Sequence, residues 1–201
     1  MRIFTIGHST RTVDELCKVL AAHQIVALAD VRRFPRSFTN PQFNTDALRM
    51  ELTKYGMQYV WLEKLGGRRE GLGKLSKNTC WKNSSFRNYA DYMETGQFAE
   101  GIGQLIRLGE TANVAVMCAE SLYWRCHRSM IADYLKSKGI EVTHILDQKH
   151  TKEHQYTQCA TIVDGQLSYN AQTSLEESMA RESQSSRRRL EPSPCRSSQA
   201  E

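Results

Sequence analysis

A chain of 201 residues with 40% hydrophobic and 24% charged side chains is sized for one domain with a full core, or one domain and a short appendage. It is too rich in apolar residues for a disordered polypeptide. It holds no apolar run near the roughly 20 residues that cross a bilayer, and its start, MRIFTIGHST, lacks the features of a secretion signal. Membrane, secreted and fibrous classes drop out, and a cytoplasmic protein is the expectation. The net charge of +5 falls before Ala171, because from there onward five Arg face five Glu. Such an excess suits an anionic substrate or a nucleic-acid backbone, and equally a solvated surface.

In chain order, Arg2 to Gly7 reads as a β-prone segment ending in glycine. Ser9 or Thr12 can cap a helix in which Leu16, Val19 and Leu20 recur at helical spacing. Ile25 to Val31 is an apolar run of the kind found in strands buried on both faces. The loop RRFPRSFTNPQFN follows, then a helix from Thr45 to Tyr55 stopped by Gly56, and a strand from Gln58 to Leu62. Gly66 to Lys82 is a glycine-rich basic loop. Phe86 to Leu108 reads as a long helical stretch broken near Gly96 and Gly101. Asn113 to Cys118 is a strand, Ser129 to Lys138 a helix ended by Gly139, and Glu141 to Leu146 a fifth strand. A small hairpin is predicted around Asp164-Gly165.

This alternation predicts an α/β fold: a mainly parallel sheet of about five strands flanked by helices, with the small C-terminal hairpin beyond it. Residues 1–173 read as a single α/β domain. Residues 174–201 lose nearly all apolar side chains and read as a polar, disordered tail, in which Arg187, Arg188 and Arg189 either touch a partner or are incidental. Cys17, Cys80, Cys118, Cys126, Cys159 and Cys195 are too few and scattered for a disulfide framework in a chain this long. They read as reduced thiols, mostly buried.

Ligands of a parallel α/β sheet bind beyond the carboxyl ends of its strands. Those ends carry His8-Ser9-Thr10, Asp30-Val31-Arg32, Glu63 with Arg68 and Arg69, Cys118-Ala119-Glu120, and Asp147. The segment VAVMCAESLYWRCHRSMIADYL is the sharpest feature. It places Cys118 at a strand tip, and Cys126-His127-Arg128 at a helix start whose amides favour an anion or a thiolate. Rhodaneses and cysteine-based phosphatases share this layout of loop, thiol and arginine, though their loops are shorter and richer in glycine. A metal reading uses Cys118, Cys126 and His127 with His8 or Glu120, but the Cys-x7-Cys-His spacing matches no common zinc pattern and adjacent ligands rarely reach one ion. Against both readings, Cys118 could be a buried thiol and His127 a helix-start residue bonded to backbone. His8 could be a general base, a phosphate ligand or a turn residue. Asp30 and Arg32 share a strand face, so Arg32 either pairs with Asp30 or meets substrate. Trp61, Trp81, Trp124, Tyr59, Tyr89 and Tyr123 could stack on a base, or sit in the core or at its rim.

Gly7-His8-Ser9, Asp30-Val31-Arg32, Leu65 to Arg69, Asn83 to Met93, and Cys118-Ala119-Glu120 through Cys126-His127-Arg128 occur in the order found in a known family. The chain resembles domain of unknown function family 488 over about residues 1–170. It carries Tyr123 where that family commonly has proline, and Cys80 where it has glycine. The resemblance implies a bacterial-type α/β domain and carries no activity with it.

The residues therefore predict an enzyme, a hydrolase or transferase, acting on an anionic, phosphate-bearing substrate such as a nucleotide or nucleic-acid end. Cys118 is the expected nucleophile or redox thiol, His127 or His8 the proton carrier, and Glu120 an acid-base or orienting group. Ser9, Asp30, Arg32, Arg68, Arg125 and Arg128 are the expected substrate-binding residues. No cofactor, metal or membrane partner is expected. The rival readings are a non-catalytic nucleic-acid binding module using the Gly66 to Lys82 loop, and a thiol-based sensor or partner-binding protein.

Overall fold

A computed structural model describes residues 1–171; segment 174–201, with its three consecutive arginines and Cys195, lies outside them. Its elements are β1 (Arg2–Gly7), α1 (Val13–Ala22), β2 (Ala27–Asp30), α2 (Thr45–Lys54), β3 (Gln58–Trp61), α3 (Ser84–Met93), α4 (Gly96–Thr111), β4 (Val114–Cys118), α5 (Arg128–Ser137), β5 (Glu141–Ile145), β6 (Thr151–Glu153), β7 (Thr161–Val163) and β8 (Gln166–Ser168). Six strands form one sheet in the order β3-β2-β4-β1-β5-β6. The first five are parallel, and β6 adds an antiparallel edge. That short, fully exposed strand has no apolar pattern by which a sequence could announce it.

The centre of the sheet is buried on both faces because β4 is apolar at every position, and the two-residue period sorts its side chains. Val114 and Val116 of β4 pack with α3, α4 and α5, and Ala115 and Met117 pack with α1 and α2. Helix α1 starts where Thr12 and Glu15 form a reciprocal capping box. The predicted break near Gly96 is a change of helix: Thr95 accepts from the Phe98 amide and starts α4. The predicted break at Gly101 does not occur. Gly101 is inside α4 and buried, and a Cβ there would come within 2.9 Å of Leu65 Cδ2, so the glycine serves close packing. Strands β7 and β8 form the predicted hairpin, with Asp164 and Gly165 at φ 49° and 74°, the left-handed pair a tight hairpin turn needs.

The reading of all cysteines as reduced thiols is corrected by a disulfide between Cys80 and Cys159, whose Cα atoms are 5.5 Å apart. It ties the segment before α3 to the segment before the hairpin, where Trp81 also packs on Tyr169. A separation of 79 residues hides such a pair from spacing arguments. Cys17, Cys118 and Cys126 are free among the described residues, and Cys17 is in the core as expected. Among the described residues no helix is long and apolar enough to cross a membrane.

Candidate functional site

In the order β2-β4-β1, the three central strands present their carboxyl ends side by side. The tips are stitched together beyond the ladder: the His8 amide donates to the Cys118 carbonyl and the Ser9 amide to the Ala119 carbonyl. Ser9 is held at φ 52°, a left-handed conformation that costs a non-glycine residue energy and clusters at functional sites. Arg68, on the Gly66-Gly67 loop, is held at φ 54°. Between these loops opens a cleft of about 820 Å³ lined by five chain segments, with His8, Ser9, Arg68, Cys118, Glu120 and Arg125 among its walls.

The floor is sulfur and imidazole. Nδ1 of His127 lies 4.0 Å from Sγ of Cys118 and 3.6 Å from Sγ of Cys126. Nε2 of His127 is 3.0 Å from the Val31 carbonyl; a carbonyl only accepts, so Nε2 carries the proton and Nδ1 turns its lone pair to the sulfurs. Adjacent residues 126 and 127 both reach this point because Cys126 is extended (φ −130°, ψ 146°) and His127 is already helical (φ −56°, ψ −15°). The bond from Cys118 to Cys126 and the guanidinium of Arg128, outweighing burial, bring the Cys126 thiol down to about 7. The same bond and burial push Cys118 up to about 12. The expected nucleophile Cys118 and its neighbour Cys126 thus form one hydrogen-bonded thiol pair at the cleft floor, with the downward shift on Cys126. A helix start beside a cationic group predicts such a lowered thiol, and that signal stood at Cys126-His127-Arg128 in the sequence.

The remaining predicted residues divide by where their polar atoms go. Asp30 is fully buried and holds Arg32 through both carboxylate oxygens, with the Tyr59 hydroxyl as a third donor. Arg32 also donates to the Phe43 carbonyl, so of the two alternatives its charge goes to Asp30. Arg128, 1% exposed, donates to the carbonyls of Glu120 and Ser121 and shapes the loop from beneath. Glu120 faces the cleft with its carboxylate turned onto its own loop, accepting from the Leu122 amide and the Ser121 hydroxyl. His8 stacks on Phe43 at 4.0 Å and gives its Nδ1 proton to the Ser9 carbonyl. Burial holds it neutral, with its pKa down to about 4. Its other ring nitrogen is thus an acceptor.

Arg68 and Arg125 are exposed, line the cleft and make no ion pair among the described residues. Arg36 does the same from the β2–α2 loop, as does the exposed Phe34. Sequence reading passed over both, although a loop carrying Arg32, Arg33 and Arg36 directly after a strand's carboxyl end was a usable signal. Of the aromatics, Tyr89 lines the cleft but is buried with its hydroxyl on the Leu65 carbonyl. Tyr123 stacks on His144, and Trp81 on Phe86. Trp61 donates to the Arg32 carbonyl, and Trp124, beside Arg125, is exposed.

The model of domain of unknown function family DUF488 matches residues 12–135. The chain belongs to this family. The matched stretch contains the β2 tip, the Gly66-Gly67 loop and the Cys118 to Arg128 segment, so the DUF488 region supplies every cleft wall except the β1 tip. No curated protein and no solved structure gave a significant match.

Proposed function

We propose that the protein is an enzyme, a hydrolase or transferase, that takes a phosphate-bearing substrate such as a nucleotide or a nucleic-acid end into the cleft. The carrying observation is the pairing of Arg36, Arg68 and Arg125, cationic and without carboxylate partners among the described residues, with a floor of reactive groups. Guanidinium groups recognise phosphate through paired, charge-assisted hydrogen bonds, and a carboxylate partner would have cancelled them. Beneath them, Cys118, Cys126 and His127 supply sulfur and imidazole, and His8 supplies a neutral ring acceptor. Phe34 at the wall and Trp124 next to Arg125 are exposed, which suits a base stacked beside its phosphate.

The test is a turnover screen of the whole protein against phosphomonoesters, nucleoside phosphates and short oligonucleotides with terminal phosphates. The expected result is turnover of at least one class, with Arg68→Ala and Arg125→Ala raising KM and Cys126→Ser or His127→Gln lowering kcat. Phosphate-dependent binding with no turnover anywhere in the screen would replace the enzyme with a binding module. The exposed arginines and aromatics favour that second reading too, and it requires affinity for single-stranded nucleic acid that falls steeply as salt is raised.

A further inference from the structure

From the geometry of the cleft floor we infer a metal site: Cys118 Sγ, Cys126 Sγ and His127 Nδ1 bind one borderline-soft divalent cation of the zinc class, with its fourth position open to the cleft. The three atoms all lie within 4.8 Å of one another. Zinc–sulfur and zinc–nitrogen bonds near 2.3 and 2.0–2.1 Å place tetrahedral ligand atoms roughly 3.6 to 3.8 Å apart. Of the two sulfur–nitrogen distances, 3.6 Å from Cys126 is at that spacing and 4.0 Å from Cys118 is a few tenths of an ångström beyond it.

A second observation, independent of those distances, points the same way. Metal-bound histidines characteristically give their other ring N–H to a carbonyl or carboxylate, which fixes the ligating nitrogen. His127 does this with the Val31 carbonyl from the tip of β2. A lone pair on Nδ1 can accept one thiol proton, yet two sulfurs are gathered on it. On the side facing Nδ1 stands Gly67, where a Cβ would come within 3.0 Å of that nitrogen; glycine lets the loop approach without a side chain over the coordinating atom. The adjacency of residues 126 and 127, which argued against a shared ion, is resolved by the change from extended to helical backbone between them.

Two thiolates and one imidazole select zinc over the oxygen-loving magnesium and calcium. Three protein ligands with the remaining position facing a cavity form the pattern of a catalytic centre, where a structural zinc would be closed by a fourth side chain. Cation binding stands by itself; its use as the electrophile for a bound phosphate rests on the function proposed above.

The full-length protein, stripped with a chelator under anaerobic conditions, is titrated with cobalt(II) alone and then with zinc. The expected result is one equivalent of cobalt showing tetrahedral ligand-field absorption and a thiolate-to-metal charge-transfer band, both abolished when zinc displaces it. Cys118→Ser, Cys126→Ser and His127→Gln should each lose charge-transfer intensity or tetrahedral character, while Cys17→Ser keeps the wild-type spectrum; circular dichroism checks that each variant is folded. An octahedral spectrum, no charge-transfer band in the wild type, or an unchanged spectrum in folded Cys118→Ser and Cys126→Ser overturns the site. Metal binding without turnover leaves the site standing and removes the enzyme, and turnover by protein that takes up no metal does the reverse.

Discussion

Gly7 lies so close beneath Glu120 that a Cβ on it would come 2.0 Å from the Glu120 carbonyl oxygen and 2.9 Å from Ser121 Cα. Both neighbours are backbone, so neither can swing aside. The contact brings the β1 tip under the loop that follows β4, and the floor of the cleft depends on it. Gly7→Ala should cost roughly 1–3 kcal/mol or more in urea unfolding and weaken pyrophosphate binding with it. Gly103→Ala, in the α4 interior where a Cβ meets only the end of Arg107, should instead be neutral or stabilising by up to about 1 kcal/mol. Equal stabilities for the two variants would contradict the packing described.

The cleft's arginines divide into those that hold the fold and those that face solvent. Arg32→Leu strands the buried Asp30 carboxylate, and breaking a buried pair from one side costs roughly 3–5 kcal/mol. Arg68→Ala removes an exposed, unpaired group and should change stability by no more than about 0.5 kcal/mol while weakening phosphate binding. Urea unfolding and calorimetry with pyrophosphate separate the two effects. An Arg32 variant of wild-type stability would show that the pair does not anchor the β2 tip.

Closing a loop of 79 residues restricts the unfolded chain by roughly 4 kcal/mol. Cys80→Ser and Cys159→Ser should lower the unfolding free energy by about that much or less, and by similar amounts. Peptide mapping without reductant should recover the two cysteines in one linked species. Recovery of both as alkylated free thiols would exclude the bridge.

Two buried histidines make stability depend on pH. Burial lowers His8 to about 4 and His144, with His154 and Arg128 adding repulsion, to about 3, from an ordinary 6.5. Below pH 6.5 the unfolded chain takes up protons that the fold excludes. Their stabilising contribution is complete above pH 6.5 and shrinks as the pH falls toward the folded values, by up to about 1.4 kcal/mol per pH unit for each ring. Urea midpoints should therefore drop between about pH 7 and about pH 5, less steeply in His144→Gln. A flat profile would mean these rings are not excluded from protonation.

His144 also belongs to a buried chain running from Asp133 through His154 and His144 to Thr5, with links of 2.9, 2.9 and 2.7 Å. None of it was legible in the sequence, because its four members come from β1, α5, β5 and the segment after β6. Each looks like an ordinary polar residue until the fold places it opposite the next.

The sequence by itself determined the architecture of this protein. Apolar runs, helix caps and turn pairs are local signals, and they located the five parallel strands, the helices between them and the Asp164-Gly165 hairpin to within a few residues. The order of motifs along the chain also revealed the family, since such order survives without any contact. Tertiary structure alone decided which polar groups are occupied. Arg32 pairs with Asp30 and Arg128 donates to loop carbonyls while Arg36 and Arg68 face the cleft without an ion pair among the described residues, Cys118 and Cys126 meet at one imidazole, and Cys80 finds Cys159. The physical reason is that a charge, a thiol or a ring nitrogen is defined chemically by its nearest partner, and here those partners are brought together by the crossing of strands far apart in the chain.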